Sequence, residues 1–572
     1  MVETFTAPPP PFVAPPEMAL ESWQLPDYGR KEPHFPFLPG EDERISRSVG
    51  DVTTGYLVNG VALPIPHPGF TILERQYQRR FLYTSEPMVA LLEEAMEFVH
   101  QEYPQAVLGL GNFSRKGGGN IPQSVSHNNG RDGDIAFFVV DGDDNPSMKP
   151  DLLRFDHLGW FRGPEQGEET LFFDLELRFD APRNWRFVEG LIRSNAADIQ
   201  YIFISTPLRN KLLQEARRQG VPAGIIRQAN QLLVQPAGAL PHDDHFHIRI
   251  HCTPEDLAAG CVERGRPGPT FHNNYRLQQD SLRKAQALLG DDDPDLRVRA
   301  IRRLSILGSH HASGELLRLI EDPHPAVRIA AIRALPRNPR SRDALIARLP
   351  EENEGHVFAE LVVTLASYGN QAATPLIEAL SRPLDIDLGP GGPLSATALV
   401  ADALALLEDQ RPVPVLLTAL GEVPPTSRPQ LLHALRVLTN HSFGARDSLV
   451  RDENSFQEVY DQWLSWWEVH QDLSREEWIT LGFQRAGFSI EGLNEKYIWE
   501  ICRAIMDEPH LNINAQRVLM GISGRNPDSL RWHPHDASFY WRRYFEQRQP
   551  ELGLPPIPED LTTAGGYTPP PE

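Results

Sequence analysis

At 572 residues the chain is too long for one hydrophobic core, and its length implies roughly three or four domains. Its formal net charge of −22 excludes a general nucleic-acid binder, which needs a basic stripe to replace phosphate counterions. The 40% apolar content fits globular domains, and no apolar run approaches the ~20 residues that cross a bilayer.

Residues 1–42 are proline-rich with few paired apolar positions, which predicts a disordered arm. Met1–Pro16 has no basic start and no apolar core, so it does not read as a secretory signal. Residues 43–268 mix short strands and helices and predict an α+β domain, an antiparallel sheet with flanking helices. Within it, Met88–Val99 has helical spacing and Ile135–Val140 reads as a buried strand. Leu171–Phe179 starts as a strand, while Trp185–Ser194 and Leu208–Gln219 read as helices. Ile248 and Ile250 alternate with Arg249 and His251, which suits a strand with one wet face.

Residues 280–445 change character. Asp293-Pro294 followed by Val298, Ala300, Ile301, Arg302 and Leu304 is echoed by Asp322-Pro323 followed by Val327, Ala330, Ala331, Ile332, Arg333 and Leu335. A looser copy runs over His356–Leu365, and further helices follow at Ala396–Leu407 and Gln430–Leu438. Asp caps free N–H groups and Pro suits a first helical position, so each Asp-Pro marks a helix entry. A helix pair cannot bury its apolar face alone, so copies stack into an all-α solenoid. The pattern resembles HEAT-type repeats, which implies a protein partner that the sequence does not identify. Residues 446–548 predict a helical cap, in which Trp463, Trp466 and Trp467 share one helix face and close the solenoid. Residues 549–572 form a proline-rich tail.

Two clusters carry chemistry: Ser126-His127-Asn128-Asn129-Gly130-Arg131-Asp132-Gly133-Asp134-Ile135, and His242-Asp243-Asp244-His245-Phe246-His247-Ile248-Arg249. His127 and Asp134 flank a glycine-containing segment that enters a strand. His245 and His247 project from the same strand face, so both imidazoles can reach one site. Two histidines and one aspartate make the three protein ligands of an open catalytic zinc site.

The paired motifs, with Ser46-Arg47-Ser48-Val49-Gly50 and Arg79-Arg80-Phe81 upstream, resemble the penicillin-insensitive murein endopeptidases of the lysostaphin, D-Ala-D-Ala metallopeptidase and hedgehog superfamily. The resemblance covers roughly residues 44–265. It implies His127, Asp134 and His247 as ligands of one Zn2+, His245 as the catalytic histidine and His242 as a further active-site histidine. It implies hydrolysis of D-alanyl–meso-diaminopimelate peptide cross-links in peptidoglycan without a serine nucleophile, and therefore a place in the periplasm or cell envelope. A catalytically inactive wall-peptide scaffold, or a carboxypeptidase or amidase of the same superfamily, are the alternatives. Ser124 stands where the family carries another histidine.

Other features read more plainly. Cys252 and Cys261 either form a disulfide or stay as two buried thiols. Arg131 or Arg249 either holds a substrate carboxylate or is structural. Gly117-Gly118-Gly119 suggests a flexible lip beside the site. Asp141–Asn145 lacks the glycine and glutamate of a calcium loop and reads as a solvated acidic turn. His310 and His311 fall between repeat helices, at exposed positions.

Overall fold

The computed structural model describes residues 35–121, 124–146, 151–161, 177–236, 241–268, 271–308, 312–387, 393–443, 453–527 and 529–562. They fall into two compact units, residues 35–407 with 539–562 and residues 408–538.

The first unit opens with β1 (Arg47–Val49), β2 (Tyr56–Val58), β3 (Val61–Ala62), β4 (Phe70–Ile72), α1 (Glu74–Gln78), β5 (Tyr83–Thr84), α2 (Glu86–His100) and β6 (Leu108–Leu110). There follow β7 (Asp132–Ala136), β8 (Val139–Val140), β9 (Arg178–Phe179), α3 (Ala181–Arg193), β10 (Ile199–Phe203), α4 (Thr206–Arg218), α5 (Ala223–Leu232), β11 (Leu233–Val234), β12 (His245–Ile250) and α6 (Pro254–Ala259). Six strands form one sheet in the order β11-β10-β12-β7-β6-β4. The inner pairs are antiparallel as expected, but β4 with β6 and β10 with β11 are parallel. A parallel pair needs a crossover. Helix α2 lies between β4 and β6, and α4 with α5 between β10 and β11.

Ile135–Val140 is two short strands, not one. Of the Leu171–Phe179 segment only residues 177–179 are among those described. Met88, Leu91, Leu92, Ala95, Met96 and Val99 of α2 pack with Trp185, Phe187, Val188 and Leu191 of α3 and with Ile135, Phe246 and Ile248 of the sheet. That core takes one side chain in two from β12. The alternate set, His245, His247 and Arg249, faces the other way.

Residues 35–42 are not a loose arm. Phe35, Phe37 and Leu38 are buried, and Phe35 and Phe37 cluster with Val49 and Ala259.

The repeat helices of this unit are α7 (Phe271–Ala287), α8 (Pro294–Gly308), α9 (Ser313–Leu319), α10 (Pro325–Ala334), α11 (Pro339–Arg348), α12 (Gly355–Ala366), α13 (Ala373–Ala379) and, after the hairpin β13 (Asp385–Asp387) and β14 (Pro393–Ser395), α14 (Ala396–Ala405). Helices α8, α10, α12 and α14 pack in succession, which is the stacking the repeated pattern requires. The first copy enters its helix at Pro294, whereas the echo enters at Pro325 rather than Pro323. His310 and His311 lie outside the described residues.

The second unit holds α15 (Pro412–Glu422), α16 (Arg428–Thr439), α17 (Glu453–His470), α18 (Arg475–Arg485), α19 (Ile498–Ala504) and α20 (Pro509–Ser523). Within this unit α15 and α16 pack on each other, α15 also meets α17, and α16 meets α18 and α20. Trp463 and Trp466 are buried, and Trp466 and Trp467 meet Trp478 edge-on at 5.4 and 6.0 Å. Trp463 and Trp466 are core, and Trp467 is half-buried.

Candidate metal centre

Strand pairing brings the two sequence clusters together. Antiparallel β7 and β12 set His247 opposite Asp134, Arg249 opposite Asp132 and His245 opposite Ala136. Residues directly opposite share a sheet face, so Asp132, Asp134, His247 and Arg249 meet there. Glycine at position 111 makes room: a Cβ would stand 2.9 Å from that of Asp134.

His127 arrives from the loop before β7. Its backbone is left-handed, with φ of 77°, a conformation uncommon outside glycine. The loop is clamped on both sides. Asn128 Nδ2 donates to Thr53 O and Asn120 Oδ1, Asn129 Nδ2 donates to Gly50 O, and the His127 N–H donates to Asp132 Oδ2.

Asp134 Oδ1 is the centre of the group. It lies 3.3 Å from His127 Nε2 and 3.2 Å from His247 Nδ1. Ligands about 2.0–2.1 Å from a tetrahedral ion stand about 3.3 Å apart along each edge, so these spacings are those of a shared ion. Both ring nitrogens of His127 and Oδ1 of Asp134 are buried and make no hydrogen bond of acceptable geometry. The other oxygen, Oδ2, accepts from Asn112 Nδ2 at 2.9 Å, which fixes the carboxylate's rotation. Burial would raise the Asp134 pKa, but the imidazoles of His127 and His245 hold it well below the usual carboxylate range. His127, Asp134 and His247 thus form one group that could hold a metal ion. His242, His245 and His247 form a second, overlapping group.

His245 stands between two carboxylates, Nε2 3.3 Å from Asp134 Oδ1 and Nδ1 2.6 Å from Asp244 Oδ1. Burial disfavours the charged ring, yet Asp244 and Asp134 outweigh it and hold the pKa well above the ordinary value. His242 differs: burial, then His245 and His247, push it down to about 4. The rings of His242 and His245 are 5.4 Å apart, so all five sequence-predicted site residues are gathered here.

Neither candidate arginine is placed to hold a substrate. Arg131 is buried and donates to Ile250 O and Val262 O. Arg249 donates both ways to Asp132, Nε at 2.6 Å and Nη2 at 2.9 Å. Nor is the triple glycine a loose lip. Gly118, at φ 78°, is docked so closely that a Cβ would stand 2.3 Å from both Asn128 O and Leu57 N. Asp141 Oδ1 accepts from the Asp143 and Asn145 N–H groups, as an acidic surface turn does. Ser124 Oγ accepts from Ser126 N–H. Cys252 and Cys261 are joined in a disulfide that ties the end of β12 to the end of α6.

Three partners escaped the sequence reading: Asp132, Asp244 and Asn112. Asp132 could have been found by parity, since it sits two before Asp134 on the same strand.

No curated protein matches the chain. No helix among the described residues is long and apolar enough to cross a membrane. The family model for HEAT repeats matches residues 275–335, so this stretch, covering α8 and α10, is similar to a repeat family whose members generally mediate protein interactions.

Proposed function

We propose that residues 43–268 form a zinc metallopeptidase that hydrolyses D-alanyl–meso-diaminopimelate cross-links in peptidoglycan, carried on a helical-repeat region that engages a protein partner. The observation that carries this reading is the convergence of His127 Nε2, Asp134 Oδ1 and His247 Nδ1, two imidazoles and a carboxylate at the spacing of one small ion. That donor set is one zinc takes. When bound, zinc would supply Lewis-acid polarisation of a peptide carbonyl and a water of lowered pKa.

The protein's own groups do the rest. Asp244 holds the Nδ1 side of His245, leaving Nε2, kept protonated by its raised pKa, to give a proton beside the ligand carboxylate. His242, with its pKa near 4, is neutral at pH 7 and can donate one N–H to a developing oxyanion. Asn112 keeps the Asp134 carboxylate from rotating. A site acting on peptidoglycan belongs in the periplasm or cell envelope, and the Cys252–Cys261 disulfide suits that oxidising setting.

The test is digestion of cross-linked muropeptide dimers by the full chain, with and without a chelator, with products weighed by mass spectrometry. Monomers should appear, and chelation should abolish them until zinc is restored. Zinc bound without turnover would replace the peptidase by a wall-peptide scaffold. Release of a terminal D-amino acid alone would make it a carboxypeptidase.

A further inference from the structure

Behind the ligands lies a carboxylate that this mechanism does not use. Asp132 is completely buried, and three different parts of the site converge on it. Arg249 grips it from the neighbouring strand, Nε to Oδ1 and Nη2 to Oδ2. The backbone N–H of His127 donates to Oδ2 at 3.2 Å. The Nε2 of His247 stands 3.5 Å from the same Oδ2. The guanidinium of Arg249 itself lies 5.3 Å from the ring of Phe203, whose neighbours include the His247 ring at 5.2 Å.

We propose that Asp132 is the positioning residue of the metal centre, a single carboxylate that sets both histidine ligands while Arg249 supplies its countercharge. The inference rests on the metal-centre reading above. An imidazole that ligates through Nδ1 must carry its proton on Nε2 and aim it at an acceptor, which fixes both tautomer and ring rotation. For His247 the nearby acceptor is Asp132 Oδ2. At His127 the same oxygen receives the amide of a residue with positive φ, so it helps hold the backbone turn that presents the ring. Of the two readings open for Arg249, substrate-binding or structural, this gives the side chain the structural one. Without it a buried anion would stand uncompensated beside the ligand Asp134.

The experiment measures zinc affinity of the full chain by competition with a chromophoric chelator, which needs no substrate. Asp132→Asn should weaken zinc 10–100-fold, the range for loss of an outer partner to a ligating histidine. Its chelator-treated form should unfold below the wild-type temperature, because Arg249 loses its carboxylate, and the visible bands of the cobalt-loaded protein should shift. An Asp132→Asn, Arg249→Gln double variant removes both charges and so avoids an unpaired buried arginine. It should stay weak, because neutrality is restored but the Asn carbonyl is only a neutral acceptor where a carboxylate stood. If wild type binds zinc and either variant binds it equally tightly, Asp132 has no positioning role and the metal centre stands. If wild type binds none, both readings fall.

Discussion

His245 and His247 lie two residues apart on one strand face, yet their nitrogens have different partners. His247 Nδ1 is 3.2 Å from Asp134 Oδ1 and its ring is 4.7 Å from that of His127, whereas His245 is tied to Asp244 through Nδ1. His247→Ala should therefore lose zinc and activity together. His245→Ala should keep near-stoichiometric zinc while turnover falls ~10²–10⁴-fold, the usual contribution of a general acid–base. Metal analysis alongside the dimer digest reads both, and equal turnover in both variants would refute the assignment. At this scale the sequence was informative because period-two alternation alone puts 245 with 247 and 132 with 134. What it could not supply was register. That Arg249 faces Asp132 rather than solvent depends on which residue of β7 lies opposite which of β12, and those strands are more than a hundred residues apart. The structural reading of Arg131 lacked its partners for a similar reason, since its acceptors, Ile250 O and Val262 O, come from distant chain.

Among the elements, the segment before β1 does more than its composition suggests. Arg303 of α8 is buried and donates to Glu41 at 2.9 and 2.6 Å, to Pro36 O and to Ser281 Oγ of α7. Its guanidinium also lies 4.8 Å from the Phe35 ring. One side chain thus ties residues 35–41 to the first two repeat helices. Arg303→Met keeps the stem's packing but leaves several acceptors without their donor, a loss of about 2–4 kcal/mol. Amide exchange should rise across residues 35–43 and in α8. Unchanged protection there would mean the contacts are incidental. The proline-rich composition of residues 1–42 concealed this, because three apolar residues among many prolines give no periodic signal. The repeat helices were easier to see, since Ala, Ile and Leu recur at helical spacing and stacking follows from burial. The partners of the later helices were not: Leu431, Leu432 and Leu435 of α16 are buried like the repeat leucines, and nothing in their spacing says that α16 packs with α18 and α20.

For the molecule as a whole, the two units should answer to different chemical signals. The group that could hold a metal belongs to the unit of residues 35–407, where, on the proposed function, chelation should lower stability by linkage. The unit of residues 408–538 buries two histidines in neutral form. His441, beyond the end of α16, is pushed down to about 4, chiefly by burial, with Thr439 O opposing and Arg485 and His470 assisting. His510 in α20 is pushed down to about 3 by burial, then by Arg436, His433 and His441, and the exposed Glu508 carboxylate 3.6 Å away does not offset this. A histidine with a folded pKa below its unfolded value of about 6.5 takes up a proton only on unfolding over the interval between the two. Stability is therefore complete above about pH 6.5 and declines as the pH falls, by about 1.4 kcal/mol per pH unit for each ring. From pH 7 to 5 the pair should cost this unit about 4 kcal/mol. Amide exchange in α16 and α20 should accelerate accordingly, with the same slope in the presence and absence of chelator. His510→Gln should reduce that slope from about two protons to about one. A slope that disappears on chelation would instead assign the acid response to the metal centre, and a flat profile would mean that neither ring is held neutral by the fold.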